Sequence, residues 1–338
     1  MLSSRAMRSS WVPATVVGVL LIAGTALASL RYGSNTTTDW VTVVQAFTDP
    51  APTEAHIIIR ELRAPRTLIG LGVGASLAVA GALMQALTRN PLADPGILGV
   101  NAGASLAVIS AIYLLGISAP IGYVWFGFAG AAGAAVLVYT LGASGRGGMT
   151  PLKVTLAGAV LAALLGSVTA SIMLLDERSL DQFRFWMVGS IAGRDPSVAV
   201  VVAPFMVAGL VIAVAASPSI NVLVLGDDVA RGLGQQVLLT RLLVGGAVVL
   251  LAGSAVAAAG PIGFLGLAVP HLVRMVTGPD YRKIIFLSLL YGPVILLTAD
   301  IAGRLLIRPA ELQVGIATAL IGAPLFVALA RRGRLVSV

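Results

Sequence analysis

The chain has 338 residues, 58% of them hydrophobic and 11% charged, and it contains no cysteine. A soluble domain carries roughly 25% charged residues, so a mean hydropathy of +0.98 excludes one, and the lack of cysteine excludes disulfides, iron–sulfur clusters and thiolate zinc sites. The net charge of +8 does not point to nucleic acid, because the basic residues are scattered among loops and form no stripe. Apolar runs near 20 residues recur along the whole length, each able to cross a hydrocarbon layer of about 30 Å. A closed barrel would alternate apolar and polar residues. Runs such as VAVVVAPFMVAGLVIAVA do not alternate, so the fold class is an all-α polytopic membrane protein.

In chain order, about ten spans are expected, near 11–30, 67–87, 97–117, 124–142, 154–175, 198–216, 242–260, 263–276, 284–300 and 312–330. The first follows Arg5 and Arg8 and ends in ALASL, as a signal peptide does. Its length and the many spans behind it favour a retained helix. The eighth is short. Between the fifth and sixth, SLDQFRFWMVGSIAG is expected to add a half-helix at the outer surface. With the N-terminus inside, 13 of the 22 basic residues fall on the inner side, including Arg146, Arg332 and Arg334. The usual inner bias of lysine and arginine supports this orientation. The exception is Arg60, Arg63 and Arg66, three arginines gathered on the outer side just ahead of the second span.

The chain also repeats itself. RTLIGLG at 66–72 resembles RLLVGGA at 241–247, GILGV at 96–100 resembles GFLGL at 263–267, and LKVTLAGAV at 152–160 resembles LQVGIATAL at 312–320. The three matches keep their order, 160 to 175 residues apart. They imply two five-helix repeats, about 11–175 and 198–330, inverted because five is odd; inverted repeats are a transporter architecture. The spacings Gly99/Gly103 and Gly127/Gly130/Gly133 suit close helix packing in lipid.

No nucleophile elbow, HExxH or P-loop is present, and no metal-ligand set is expected. Proton or sodium coupling would need acids deep in the spans. Asp300 alone approaches that, and it lies four residues from Arg304, on the same helix face. The energy is therefore expected from a separate nucleotide-hydrolysing subunit. NVLVLGDDVARGLGQQV at 221–237 suits its docking: a short amphipathic segment that Gly226, Gly232 and Gly234 can break into two short helices with a sharp turn.

These residues resemble the FecCD-like permeases of type II ABC importers for ferric siderophores, haem and cobalamin. The resemblance runs from about residue 55 to 332 and rests on RELRAPRTL, GALMQALTRNPLADPGILGV, LGDDVARGLG, GPIGFLGLAVPHLVR, LLTADIAGRL and ELQVGIATALIGAPLF. It implies a single permease domain over 1–338 that is not an enzyme. It further implies a second permease protomer, as homodimer or heterodimer, and two ATPase subunits that carry ATP and Mg, with no cofactor on this chain. An extracytoplasmic substrate-binding protein completes the set, in the bacterial inner membrane, with both termini cytoplasmic. The resemblance assigns binding-protein docking to Arg63, Arg66 and Arg304. It assigns the ATPase coupling loop to Leu225, Gly226, Asp227, Asp228, Ala230, Arg231, Gly232, Leu233 and Gly234, and the inner gate to Asn90 and Leu92. At the family's second constriction this chain has TPLK, 150–153, with proline and leucine where small hydroxyl residues are common.

Overall fold

The computed structural model describes residues 11–34, 38–117, 119–144 and 150–331, so Arg5, Arg8, Arg146, Arg332 and Arg334 lie outside the described residues. Every regular element described is helical. The helices are α1 Trp11–Arg31, α2 Trp40–Thr48, α3 Glu54–Ile57, α4 Ala64–Thr88, α5 Val100–Leu115, α6 Pro120–Ala143, α7 Pro151–Leu175, α8 Glu177–Met187, α9 Pro196–Leu223, α10 Asp227–Gly232, α11 Val237–Ala259, α12 Leu265–Thr277, α13 Tyr281–Leu306 and α14 Val314–Arg331. A π-helix, Ile58–Arg63, joins α3 to α4, and a 3₁₀ turn, Pro95–Leu98, precedes α5.

Among the described residues, seven helical runs are long and apolar enough to span a membrane, and α5, α12 and α14 are shorter apolar helices. These ten account for the expected spans. Helix starts follow local chemistry. Thr150, Asp195 and Asp280 accept hydrogen bonds from free N–H groups at the starts of α7, α9 and α13. Proline stands at the first turn of α6, α7 and α9, where its missing N–H leaves nothing unpaired. Span α9 runs on to Leu223, past Pro218 and well beyond the expected end at 216.

The π-helix has a physical cause. Pro65 sits inside a helical run that continues from Glu54 to Thr88. Proline lacks the N–H and its ring collides with the carbonyl four residues earlier in a regular helix. The wider turn just before it, Ile58–Arg63, is where the hydrogen-bond ladder shifts.

Helix α4 is the axis of the molecule: 83% of its apolar window is buried, against 17% for α7. It packs on α13, α11, α12 and α9. Glycine sets these approaches. A Cβ added at Gly81 would lie 2.0 Å from the Gly266 carbonyl oxygen of α12. Where α5 crosses α6, Gly103 and Gly130 meet face to face, and an added Cβ on either would strike the other's carbonyl oxygen at 2.2 or 2.3 Å. Gly133, by contrast, faces open space, so only part of that glycine run serves packing.

The helices run back and forth between two faces. One face gathers the end of α1, the start of α4 and the end of α13; the other gathers the end of α4, the end of α9, α10 and the starts of α11 and α13.

Candidate functional site

The two faces carry two polar clusters. On the α1 face, Arg66 grips Asp300 with a fork: Nε donates to both carboxylate oxygens at 3.1 and 3.2 Å, and Nη2 donates to Oδ1 at 2.7 Å. Its Nη1 donates to Glu311 Oε2 at 2.7 Å. Arg304, one turn from Asp300 on α13, donates to the same carboxylate through Nε at 3.0 Å. The i,i+4 pair expected from the sequence therefore forms, and Arg66 joins it from α4.

The remaining donors turn to α1. Arg304 Nη1 donates to the carbonyls of Ser29 and Tyr32 at 2.9 and 3.0 Å, and Nη2 to the Ser29 hydroxyl at 2.8 Å. Arg63 Nη1 donates to the carbonyls of Leu30 and Arg31 at 2.9 and 2.7 Å. Ser29, Leu30 and Arg31 are the last three residues of α1 and Tyr32 follows it; carbonyls at a helix end are the groups left without intrahelical partners. They also form the negative end of its dipole, which favours cations. Three arginines face two carboxylates here, and the α1 terminus takes up the surplus positive charge.

Of the three arginines that the resemblance assigns to docking, two point inward in this chain. Arg63 is 5% exposed and Arg304 1%. Their forks are occupied by the protein's own oxygens. Arg66 reaches nearer the rim through half-exposed Glu311, while Arg60, three residues before Arg63, is exposed. Burial acts to raise the Glu311 carboxyl, but Arg66 beside it, with the Ser34 hydroxyl, holds it below its ordinary range.

On the other face, α10 is the expected coupling segment, as one short helix followed by a tight turn. Asp227 is its anchor. Its Oδ1 accepts from Arg89 Nη2 at 2.5 Å and from Arg241 Nη2 at 2.9 Å, and Arg231 stands 3.9 Å from Oδ2. Arg89, itself in the left-handed conformation that ends α4, also donates to the Leu223 carbonyl at the end of α9. Asp228 points fully to solvent and pairs with Arg231 at 3.2 Å. Ala230 is buried against Leu223 and Val237. Leu225, Val229 and Leu233, four residues apart, stand 62%, 49% and 66% exposed. They form an apolar edge on a base fixed by charge. Val229, Arg89 and Arg241 complete the site but were not among the expected residues; the four-residue spacing of Leu225, Val229 and Leu233 was the available signal for the first. Gly226 and Gly234 have φ of +117° and +79°, which only glycine adopts readily. Gly232 lies in ordinary helix and does not need to be glycine.

The gate candidates sit nearby, after α4. The Asn90 side-chain oxygen accepts from the Leu92 N–H at 2.9 Å, so Asn90 shapes the turn, and Leu92 is 41% exposed. Asp94 accepts from the Gly96 N–H at 2.8 Å at the head of the 3₁₀ turn, and burial pushes its carboxyl up. In the TPLK stretch, Thr150 caps α7 by accepting from the Lys153 N–H.

Comparison with known proteins follows this geometry. The chain is 47% identical over 326 residues to the probable siderophore transport system permease YfiZ of Bacillus subtilis, covering 96% of this chain and 97% of that one. It is 44% identical over 315 residues to the ferric enterobactin permease FepD of Escherichia coli, covering 93% of each. A solved ABC transporter of the metal-chelate type, in an inward-facing conformation, superposes with a TM-score of 0.83 at 29% identity, covering 94% of this chain and 98% of that one. A sequence model of the FecCD transport family matches residues 20–332, and the protein belongs to that family.

Proposed function

We propose that this chain is the permease subunit of an ABC importer for a ferric siderophore, forming one side of the translocation path in a bacterial inner membrane. The carrying observation is the α10 edge: three exposed apolar side chains, Val229 on the helix and Leu225 and Leu233 flanking it, on a base held by Arg89, Arg241 and buried Ala230. Such an edge suits insertion into a cleft of a partner protein. In this reading two ATPase subunits, which carry ATP and Mg, seat on α10, so the α10 face and both termini are cytoplasmic. A second permease protomer closes the path. An extracytoplasmic binding protein docks on the α1 face, where an incoming carboxylate exchanges with Glu311 on Arg66. Arg63 and Arg304 support that contact by fixing α1. Asn90 and Leu92 line the inner mouth. The siderophore and ferric enterobactin relatives support the cargo assignment.

Proteoliposomes holding the permease with its ATPase and binding protein test this. ATP-dependent accumulation of a ferric siderophore is expected, with Val229→Glu plus Leu233→Glu abolishing ATPase association while the permease stays folded. Uptake of haem or cobalamin in place of the siderophore would reassign the cargo. Uptake driven by a proton gradient without ATPase would overturn the reading in favour of a secondary transporter.

A further inference from the structure

A groove of about 530 Å³ opens between α6, α9 and α11. Its floor includes Gly245 and Gly246, where an added Cβ would meet nothing within 4 Å. Phe128, Val136, Ile212 and Leu250 line it, and its polar groups, Tyr139, Thr140 and Arg241, stand close in sequence to the ends of α6 and α11 that reach the α10 face. A second, smaller cavity shares Tyr139, Arg241 and Gly245 and extends toward Thr88 and Thr150.

We infer that this groove holds one membrane phospholipid with an anionic headgroup, its acyl chain between α6, α9 and α11 and its phosphate on Arg241. The apolar walls match a hydrocarbon chain, and in a bilayer a slot that protein leaves unfilled at this depth is open to lipid. Arg241 lies in the second turn of α11, at the end of that apolar span that reaches the α10 face. Basic pockets between spans recognise anionic lipid headgroups. The local charge also fits. Arg89 and Arg241 share the single carboxylate of Asp227, and Arg231 approaches it too. A phosphate therefore adds acceptor oxygens where cations outnumber them. Because Arg241 is one of the two arginines that pin Asp227, the lipid also competes for the base of α10.

The test uses the purified full chain in nanodiscs of phosphatidylglycerol mixed with phosphatidylcholine, released into detergent and weighed by native mass spectrometry. One retained phosphatidylglycerol is expected, favoured about five-fold, the equivalent of roughly 1 kcal/mol for one cation near the surface. Arg241→Gln should remove the preference between the lipids. Gly246→Phe should remove retention altogether by filling the floor, and Val136→Trp should do the same from the α6 wall, so that one variant remains readable if the other fails to fold. Hydrogen exchange over 225–236 should be faster in phosphatidylglycerol than in phosphatidylcholine. Equal retention of both lipids by the wild type, retention unchanged in the filling variants, or a second copy of the chain crosslinking through the groove would each overturn the inference.

Discussion

The two polar clusters use the same chemistry, carboxylates shared by several arginines, at opposite ends of α4. They differ in burial. Asp300 is fully buried and Arg304 nearly so, whereas Asp227 and Arg89 keep 24% and 31% of their side-chain surface. Buried partners cannot be removed singly without stranding a charge, so the α1-face cluster is a fixture that joins α1, α4 and α13. The α10 cluster is less buried: Arg241 keeps only 11% of its side-chain surface, but Asp227, Arg89 and Arg231 stay in contact with water, where pairs are weaker and more exchangeable. One cluster holds helices together; the other holds the base of a short segment whose apolar side chains are exposed.

The sharpest way to break this contrast is Asp300→Ala. It strands Arg66 and Arg304, and removing one partner of a buried pair costs about 3–5 kcal/mol. Thermal unfolding in detergent should show a large loss, with little monodisperse protein; a melting temperature equal to the wild type would refute the fixture. Next in size are Gly226→Val and Gly234→Val, which force a β-branched residue to positive φ at a cost of about 1–3 kcal/mol. Both should weaken ATPase association in a pull-down, whereas Gly232→Val, in open helical space, should bind nearly as well as wild type. Equal behaviour of all three would remove the role of the turn. Asp227→Ala, whose partners are only partly buried, is expected to cost less stability than Asp300→Ala, yet to lower ATP-driven uptake several-fold by freeing α10. Uptake at the wild-type rate would place the coupling elsewhere.

The smallest effect separates the clusters by pH. Glu311 titrates below its ordinary 4.5 in the folded protein. Its stabilising contribution is therefore complete above that value and fades as pH falls through the lowered one. Glu311→Gln should flatten the acid limb of the melting curve below about pH 4.5. An acid limb unchanged in the variant would assign it to other carboxylates.

Much of this molecule was readable from sequence because hydrophobic length is a strong signal in membrane proteins. All ten spans were expected close to where they lie. What escaped depended on tertiary contacts. WVTVVQAFT of α2 is too short to stand out as a span. Pro218 reads as a stop, but α9 continues through it. The sequence places Arg63, Arg66 and Arg304 at one face yet cannot tell that Arg63 and Arg304 point in, because the partners that turn them are backbone carbonyls at the end of α1, which carry no sequence signature. In the same way nothing local links Asp227 to Arg89, 138 residues away.

The clamp on α1 has a consequence for biogenesis. Ser29 and Arg304 are 275 residues apart, and synthesis proceeds at about 5–20 residues per second. Helix α1 therefore enters the bilayer roughly 14–55 seconds before its terminal cap is made. Arg63 can reach the Leu30 and Arg31 carbonyls early in that interval, but the Ser29 and Tyr32 carbonyls wait for Arg304, and α13 is the segment whose arrival completes the first helix. Truncation before Asp300 should leave a protein whose first span is inserted but not locked, a form that cellular proteases can distinguish from the finished permease.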